Sequence, residues 1–373
     1  MKKRLHLVSF DIPYPPIYGG VIDVFYKIKA LHELDIAVTL HCFQYGKPEQ
    51  QELDQYCEEV HYYKRNSYFS SIFSNDYPFI VKSRGNDDLI ANLKKDDAPI
   101  LFDGLHTTYI LNLTDFKDRQ LFLRAHNVEH RFYKGLAKSE SNIFKRNFFH
   151  QESKKLKKYE KILDSMDGVF SISPLEQEYF SKKYGEKCEY VPAFHDTTIH
   201  TTLSKSGDFI LYHGNILVSE NVKAAMFLID TYKDSEYQLV IASSYFNDEV
   251  SKEILKYDNI VFHSLIKEND LERLFQNAHI NVLPTFQNTG IKLKLLNTLY
   301  QGKFVIANDF MVDNTGLESL CEKANTKEEF LQKTKELFDQ EFNQDIRNQR
   351  EKVLANFSPA SGAQKMIDTI FKK

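Results

Sequence analysis

An α/β protein made of two Rossmann-like units is what this sequence predicts, and three observations carry the prediction. Its 373 residues exceed what one hydrophobic core usually holds, and a norm of about 150 residues per domain suggests two. Short apolar segments rich in Val, Ile, Leu and Phe alternate with stretches of helical periodicity, which is the grammar of the βαβ unit. That grammar breaks off at the polar passage "HDTTIHTTLSKSGD" and restarts behind it. Two lobes also imply a cleft for a ligand.

The elements follow in order. "RLHLVSF" is a strand and "DIPYPPIYGG" a loop, after which Val21, Val24, Phe25, Ile28 and Leu31 recur at helical spacing. "IAVTLHCF" completes a βαβ unit, whose parallel strands prefer a right-handed crossover. "PILFDGL", "RQLFLRAH" and "DGVFSIS" read as further strands, the last leading into Pro174 and a helical "LEQEYFSKKYG". Beyond the polar passage come strand "FILYHGN", helix "NVKAAMFLIDTY", strands "YQLVIASS" and "NIVFHS", helix "KENDLERLFQNA" and strand "HINVLPT". A helix beginning near Ile291 and ended by Gly302 precedes strand "KFVIAN", and "SPASGAQKMIDTIF" reads as a closing helix.

Composition bounds the function. A hydrophobic fraction of 42% and a charged fraction of 27% are those of a folded, soluble protein. The formal charge of -4 argues against a nucleic-acid binder. In "MKKRLHLVSFDIPYPP" the apolar run is cut short by Asp11 and prolines, so it reads as a first strand rather than a signal peptide. No stretch approaches the roughly 20 apolar residues of a membrane span. Cys42, Cys57, Cys188 and Cys321 are scattered without zinc-ligand spacing, which fits a reducing cytoplasm.

Three places can carry chemistry, each where a strand gives way to a helix and free N–H groups collect. In "INVLPTFQNTGIKLKLLN", Gly290 permits close backbone approach, while Lys292 and Lys294 put positive charge in a first helical turn, against the dipole. A bound anion resolves that conflict; solvated surface lysines are the plain alternative. In "PYPPIYGGVIDVF", Gly19 and Gly20 stand at a helix start as a phosphate or sugar cradle or as a simple turn, and match neither the dinucleotide fingerprint nor a P-loop. In "LFLRAHNVEHRFY", His126 ends an apolar strand, followed by Asn127, Glu129 and His130. Such a cluster needs hydrogen bonds or a solvated cleft, though each histidine can also be structural. Metal binding is disfavoured because no third ligand of clear spacing accompanies them and no Asp-x-Asp occurs.

Together these places resemble the glycosyltransferase B fold, specifically the retaining family 4 (group 1) glycosyltransferases, over nearly the whole chain. "GIKLKLLNTLYQGKFVI" is similar to the family's signature helix "G-x-x-L-K-x-L-E-A-x-x-x-G-x-P-V-V"; Gly19 and Gly20 match its Gly-rich loop, and His126 its N-domain histidine near the transferred sugar. "TGIKLKLLN" followed by "NTGLESLC" also resembles polysaccharide-locus transferases of Bacteroidetes-type bacteria. The family's two glutamates fall on Thr289 and Asn297, and Asn297 can still hydrogen bond a ribose without the strength of a carboxylate. The usual Arg and Lys after the first C-domain strand are replaced by His213, Gly214, Asn215, Asn221 and Lys223, leaving phosphate charge to Lys292 or Lys294.

The resemblance implies an acceptor-side domain at 1–192, a nucleotide-sugar domain at 193–357, and a last helix, 358–373, crossing back to the first. It implies a metal-independent hexosyltransferase without a cofactor, moving a sugar with retention from a nucleotide-diphosphate donor to a lipid-linked or glycan hydroxyl in polysaccharide assembly. His126, Lys292 and Lys294 would be catalytic. Gly19, Gly20, Gly214, Asn215, Thr289, Gly290 and Asn297 would bind the donor, with Asn127, Glu129 and His130 on the acceptor side. A sugar-nucleotide-binding protein that has lost catalysis is the competing class, and an epimerase a third. In "FKRNFFHQESKKLKKYEKIL", seven Lys and Arg against two Glu make 144–162 a basic amphipathic helix, either a peripheral contact with the inner membrane face or a solvated helix face.

Overall fold

The computed structural model describes the chain except residues 1, 17–18, 67–75, 117, 141, 198–206, 268, 287–292 and 373. Its contacts divide into two units, one of Met1–His195 with Phe357–Lys373, the other of Asp196–Asn288 with Lys292–Asn356. In the first, β1 (Lys3–Ser9), β2 (Ile36–Gln44), β3 (Glu59–Lys64), β4 (Ile100–Asp103), β5 (Leu121–Ala125), β6 (Gly168–Ser171) and β7 (Cys188–Tyr190) form one parallel sheet in the order 3-2-1-4-5-6-7. In the second, β8 (Phe209–His213), β9 (Gln238–Ser243), β10 (Ile260–Ser264), β11 (Ile280–Leu283), β12 (Phe304–Ala307) and β13 (Glu322–Lys323) form another in the order 10-9-8-11-12-13. Each sheet reverses its winding once, between β1 and β4 and between β8 and β11. Ligands of doubly wound sheets collect at the carboxyl ends of such strand pairs.

Central strands covered on both faces are predominantly apolar, which is why Leu5, Leu7, Leu101, Val169, Leu211, Ile280 and Ile306 are all buried. The helix Gly19–Glu33 buries Val21, Val24, Phe25, Ile28 and Leu31 against the first sheet. The helix Pro359–Ile370 starts at Ser358, whose side chain accepts from the Ser361 amide, and sinks Ala363, Met366, Ile367 and Ile370 into that same core beside Ile28 and Phe194.

β3, β7 and β13 are strands that the sequence pattern does not announce. All three lie at a sheet edge, where one side faces no partner and polar residues are tolerated. The helix Ile143–Tyr159 occupies most of the basic amphipathic stretch, but its apolar side turns inward. Leu156 and Tyr159 are buried, and Ile162 packs on the same core. What remains outside is its first turn, with Ile143 61% and Phe144 84% exposed. Residues 67–75, which take in the end of the aromatic and cationic segment "YYKRNSYFSSIF", lie outside the described residues. All four cysteines are free thiols.

Candidate functional site

Each switch point carries a polar constellation. In the second unit, β8 ends at His213 and the chain turns through Gly214 and Asn215 into the helix Ser219–Tyr232. Glu220, in that helix's first turn, accepts from Thr285 Oγ1 at 3.0 Å and from the Phe286 amide, tying this turn to the loop after β11. Asn221 holds the loop from the other side, donating to the Asn215 carbonyl at 2.9 Å.

Lys294 reaches into this frame from the helix Leu293–Gln301. Its ammonium donates to Asn221 Oδ1 at 3.0 Å and lies 4.8 Å from the centre of the Tyr212 ring. A Cβ on Gly214 would stand 2.7 Å from Lys294 Nζ, so the ammonium in this position occupies space that glycine leaves open. Burial lowers the Lys294 pKa from 10.5 to about 8, with Glu220 opposing the fall. His213, which shares a hydrogen bond of 3.1 Å with Thr298 Oγ1, is pushed down to about 3 by burial and then by Lys294. The positive charge at the switch point is therefore carried by Lys294, while His213 stays neutral. One turn along the same helix, Asn297 Oδ1 is buried without a hydrogen-bond partner among the described residues. Lys223 stacks over Phe286, 4.3 Å from its centre. Thr289, Gly290 and Lys292 lie outside the described residues.

Beyond the ends of β8, β9 and β10, three neighbouring strands, large apolar side chains face solvent: Leu217 and Val218, Tyr245 and Phe246, and Ile266. Ser243 Oγ fixes two of these loops by accepting from the Ile216 amide at 3.5 Å and the Tyr245 amide at 3.1 Å. The carboxyl edge of this sheet thus presents a cation beside an apolar rim.

In the first unit, five side chains form a buried ionic network at the ends of β1, β4 and β5. Asp23, in the helix Gly19–Glu33, accepts from Arg124 at 2.8 and 3.1 Å, from Lys27 at 3.2 Å and from the Phe194 amide at 2.9 Å. Asp103 pairs with Lys27 and with His126 Nε2. Arg124 also donates to the carbonyls of Val191 and Pro192 at 2.6 and 2.9 Å. Burial alone would raise both carboxylic acids; Arg124 and then Lys27 outweigh it at Asp23, and Lys27 and then His126 do so at Asp103, so both pKa values are lowered.

Asp23, Asp103 and His126 offer three metal-ligand atoms within 4.8 Å of one another. The donor set does not fit a metal, because the charges of Lys27 and Arg124 already neutralise both carboxylates from within it.

Of the residues expected on this side, Gly19 and Gly20 open the helix, where a Cβ on Gly20 would come 2.5 Å from the Phe10 ring. His126 is 5% exposed and meets Phe10 edge to face, with 5.7 Å between ring centres. Asn127 follows it, and Glu129 begins the helix Glu129–Ser139, 3.6 Å from His106 Nε2. His130 is engaged elsewhere: its Nδ1 meets Glu160 Oε2 at 3.2 Å, and that carboxylate also takes the Tyr179 hydroxyl and Lys183. Asp23, Lys27, Asp103, Arg124, His106 and Glu220 were not expected from the pattern. Their one signal in the sequence is a charged or polar residue inside or just beyond an otherwise apolar run, as in "LFLRAH" and "PILFDGLH".

Two doubly wound parallel sheets, each with a polar constellation at its switch point, define the glycosyltransferase B fold, and solved structures agree. A glycosyltransferase from Rickettsia africae superposes with a TM-score of 0.68 at 15% identity, covering 100% of this chain and 99% of that one. Sucrose-phosphate synthase from Thermosynechococcus elongatus gives 0.67 at 16% identity, covering 98% and 97%. A variant of S. aureus TarM, solved with fondaparinux, alpha-GlcNAc-glycerol and UDP, gives 0.64 at 12% identity with both chains covered fully (100%). Residues 207–340, in the second unit, match the family described as glycosyl transferases group 1. A 44.6 kDa protein of the cps region of Klebsiella pneumoniae is 26% identical, with 84% of each chain covered.

Proposed function

We propose that this protein is a retaining hexosyltransferase that moves a sugar from a nucleotide-diphosphate donor to a hydroxyl acceptor, without metal or cofactor, in the assembly of a surface polysaccharide. The observation that carries the reading is the Lys294 ammonium at the β8/β11 switch point. It is held by a neutral amide, next to a glycine that makes room for it, and no carboxylate hydrogen bonds to it among the described residues. A bound diphosphate would supply the missing counter-charge. As the glycosidic bond lengthens, negative charge grows on the departing phosphate, and a cation fixed there stabilises that state more than the ground state. The buried Asn297 oxygen suits a ribose hydroxyl, and the exposed Tyr245, Phe246 and Ile266 suit the flat face of a base. His126, oriented by Asp103, would position a sugar.

The polysaccharide assignment is supported by the cps-region relative, and a glycan acceptor by the TarM complex. A lipid-linked acceptor suits the cationic first turn of the helix Ile143–Tyr159, where exposed Phe144 is followed by exposed Lys145 and Arg146. No described helix is long and apolar enough to cross a membrane. The reading therefore places the protein in the cytoplasm, against the inner membrane face.

A thermal-shift panel of UDP-, GDP- and CMP-sugars tests the donor, since a ligand bound only by the folded state raises the melting temperature. The stabilising donor should then be consumed when a glycan acceptor is supplied. Absence of any shift across the panel would sink the proposal. A protein that binds the donor and never cleaves it would instead be the sugar-nucleotide-binding class, which Asn297 in place of a family glutamate favours.

A further inference from the structure

Two neighbouring residues of one helical turn divide the work at the second unit's switch point. Asn221 accepts from the Lys294 ammonium at 3.0 Å, while Glu220, one residue earlier, accepts from Thr285 Oγ1 at 3.0 Å and from the Phe286 amide. Thr285 and Phe286 follow β11, and Lys294 lies in the first turn of the helix Leu293–Gln301, so both ends of this connection are fastened to the same turn. Asn308, just after β12, grips the near end from another side. Its Oδ1 accepts from the Thr285 amide at 3.0 Å and its Nδ2 donates to the Thr285 carbonyl at 2.6 Å. Phe286 is pinned in turn by the Phe227 ring, 5.6 Å away edge to face, and by Lys223 at 4.3 Å.

Nothing in these bonds requires Glu220 to be a carboxylate. Both arrive at Oε1, where the oxygen of a glutamine amide would serve equally, and Oε2 takes no hydrogen bond among the described residues. The charge must act on something else. One recipient is the helix dipole, whose positive end suits an acid in the first turn. The other is Lys294. Tyr212 and His213 from β8 and Glu220 from the helix Ser219–Tyr232 are the titratable groups around its ammonium, while Lys223 of that helix is engaged with Phe286. Burial disfavours the charged lysine, and among the described residues the charge that opposes burial is that of Glu220. The ammonium's own contacts are neutral, namely Asn221 Oδ1 and the Tyr212 ring. A paired carboxylate would compete with a phosphate for the cation, whereas one acting through space does not.

We propose that Glu220 is a positioning residue with two separable parts: one carboxylate oxygen fixes the chain leaving β11, and the charge holds Lys294 as an ammonium ready for an anion. Both parts rest on the reading of Lys294 as the cation that meets the diphosphate of a nucleotide.

Two near-isosteric variants separate them. Glu220→Gln keeps the acceptor and removes the charge; Thr285→Val removes one bond and keeps the charge. Each is compared with wild type as the full chain, with circular dichroism to verify folding, and each decides its own part if the other does not fold. NMR of protein labelled at the lysine Cε and Nζ follows Lys294 through pH, its signal being the one absent from Lys294→Met. UDP and GDP are titrated by calorimetry at pH 7 and 8.5. The Lys294 midpoint, about 8 in wild type, should fall in Glu220→Gln and stay in place in Thr285→Val. Between the two pH values Glu220→Gln should lose at least about threefold more nucleotide affinity than wild type, because fewer ammonium groups remain to meet the anion. Thr285→Val should bind about threefold more weakly at both. A midpoint unmoved in Glu220→Gln, or moved as far in Thr285→Val, overturns the role of the charge and leaves Glu220 an ordinary acid at a helix start. Wild-type affinity in Thr285→Val overturns the role of the bond. Failure of UDP and GDP to bind wild type strikes the donor reading instead, and the midpoint then decides whether Glu220 holds the ammonium.

Discussion

Replacing Lys294 with methionine should make the protein more stable and less able to bind its donor. The fall of the Lys294 pKa from 10.5 to about 8 means that holding the charge in place costs roughly 3 kcal/mol at pH 7. Against this stand the hydrogen bond to Asn221 and the contact with the Tyr212 ring, together about 1–2 kcal/mol. Removing the charge should therefore leave a net gain of about 1–2 kcal/mol in urea unfolding at pH 7. The folded-state pKa lies below the unfolded one, so the unfolded chain holds more protons between pH 8 and 10.5, and wild-type stability recovers as pH rises through that window. The advantage of Lys294→Met should accordingly shrink to below about 1 kcal/mol by pH 10. In the same variant a nucleoside diphosphate should bind at least tenfold more weakly by calorimetry. In wild type its binding should take up a proton near pH 8, since the anion restores the ammonium. A variant that is less stable at pH 7 and keeps its nucleotide affinity would refute the reasoning.

Three other outcomes are expected. Asp103→Asn removes a carboxylate from between Lys27 and His126 and should cost about 3–5 kcal/mol in chemical denaturation, whereas a loss below about 1 kcal/mol would mean the network is solvated. His213, held to about 3, refuses a proton that the unfolded chain accepts below 6.5; the stability it contributes is present above 6.5 and lost as pH falls, by about 2–3 kcal/mol at pH 4.5, a dependence that His213→Gln should flatten. Sedimentation with phosphatidylglycerol vesicles at low salt should pull down the wild type and lose at least half of a Phe144→Ser variant; equal pelleting of the two would remove the helix tip from any membrane contact.

The parallel sheets were legible because strands covered on both faces become continuous apolar words such as "FILY" and "KFVIA". β3, "EVHYYK", and the two residues of β13 escaped because edge strands need no such composition. Lys294 stands out in the sequence because a glycine and two lysines fall where a buried helix should begin. The network of Asp23, Lys27, Asp103 and Arg124 does not, since only the Asp23–Lys27 pair is local and the remaining partners lie far along the chain. Asp23 and Arg124 are 101 residues apart, and only the winding of the first sheet brings them within 2.8 Å.

The helix Pro359–Ile370 also orders events during synthesis. The Asp196–Asn356 stretch can gather its own sheet as soon as it leaves the ribosome, whereas the earlier-made unit must wait with Ile28 and Phe194 uncovered until Met366 and Ile370 arrive. The half of the protein translated first is thus the half that finishes last, and its greasy seam stays open to chaperones for the longest time.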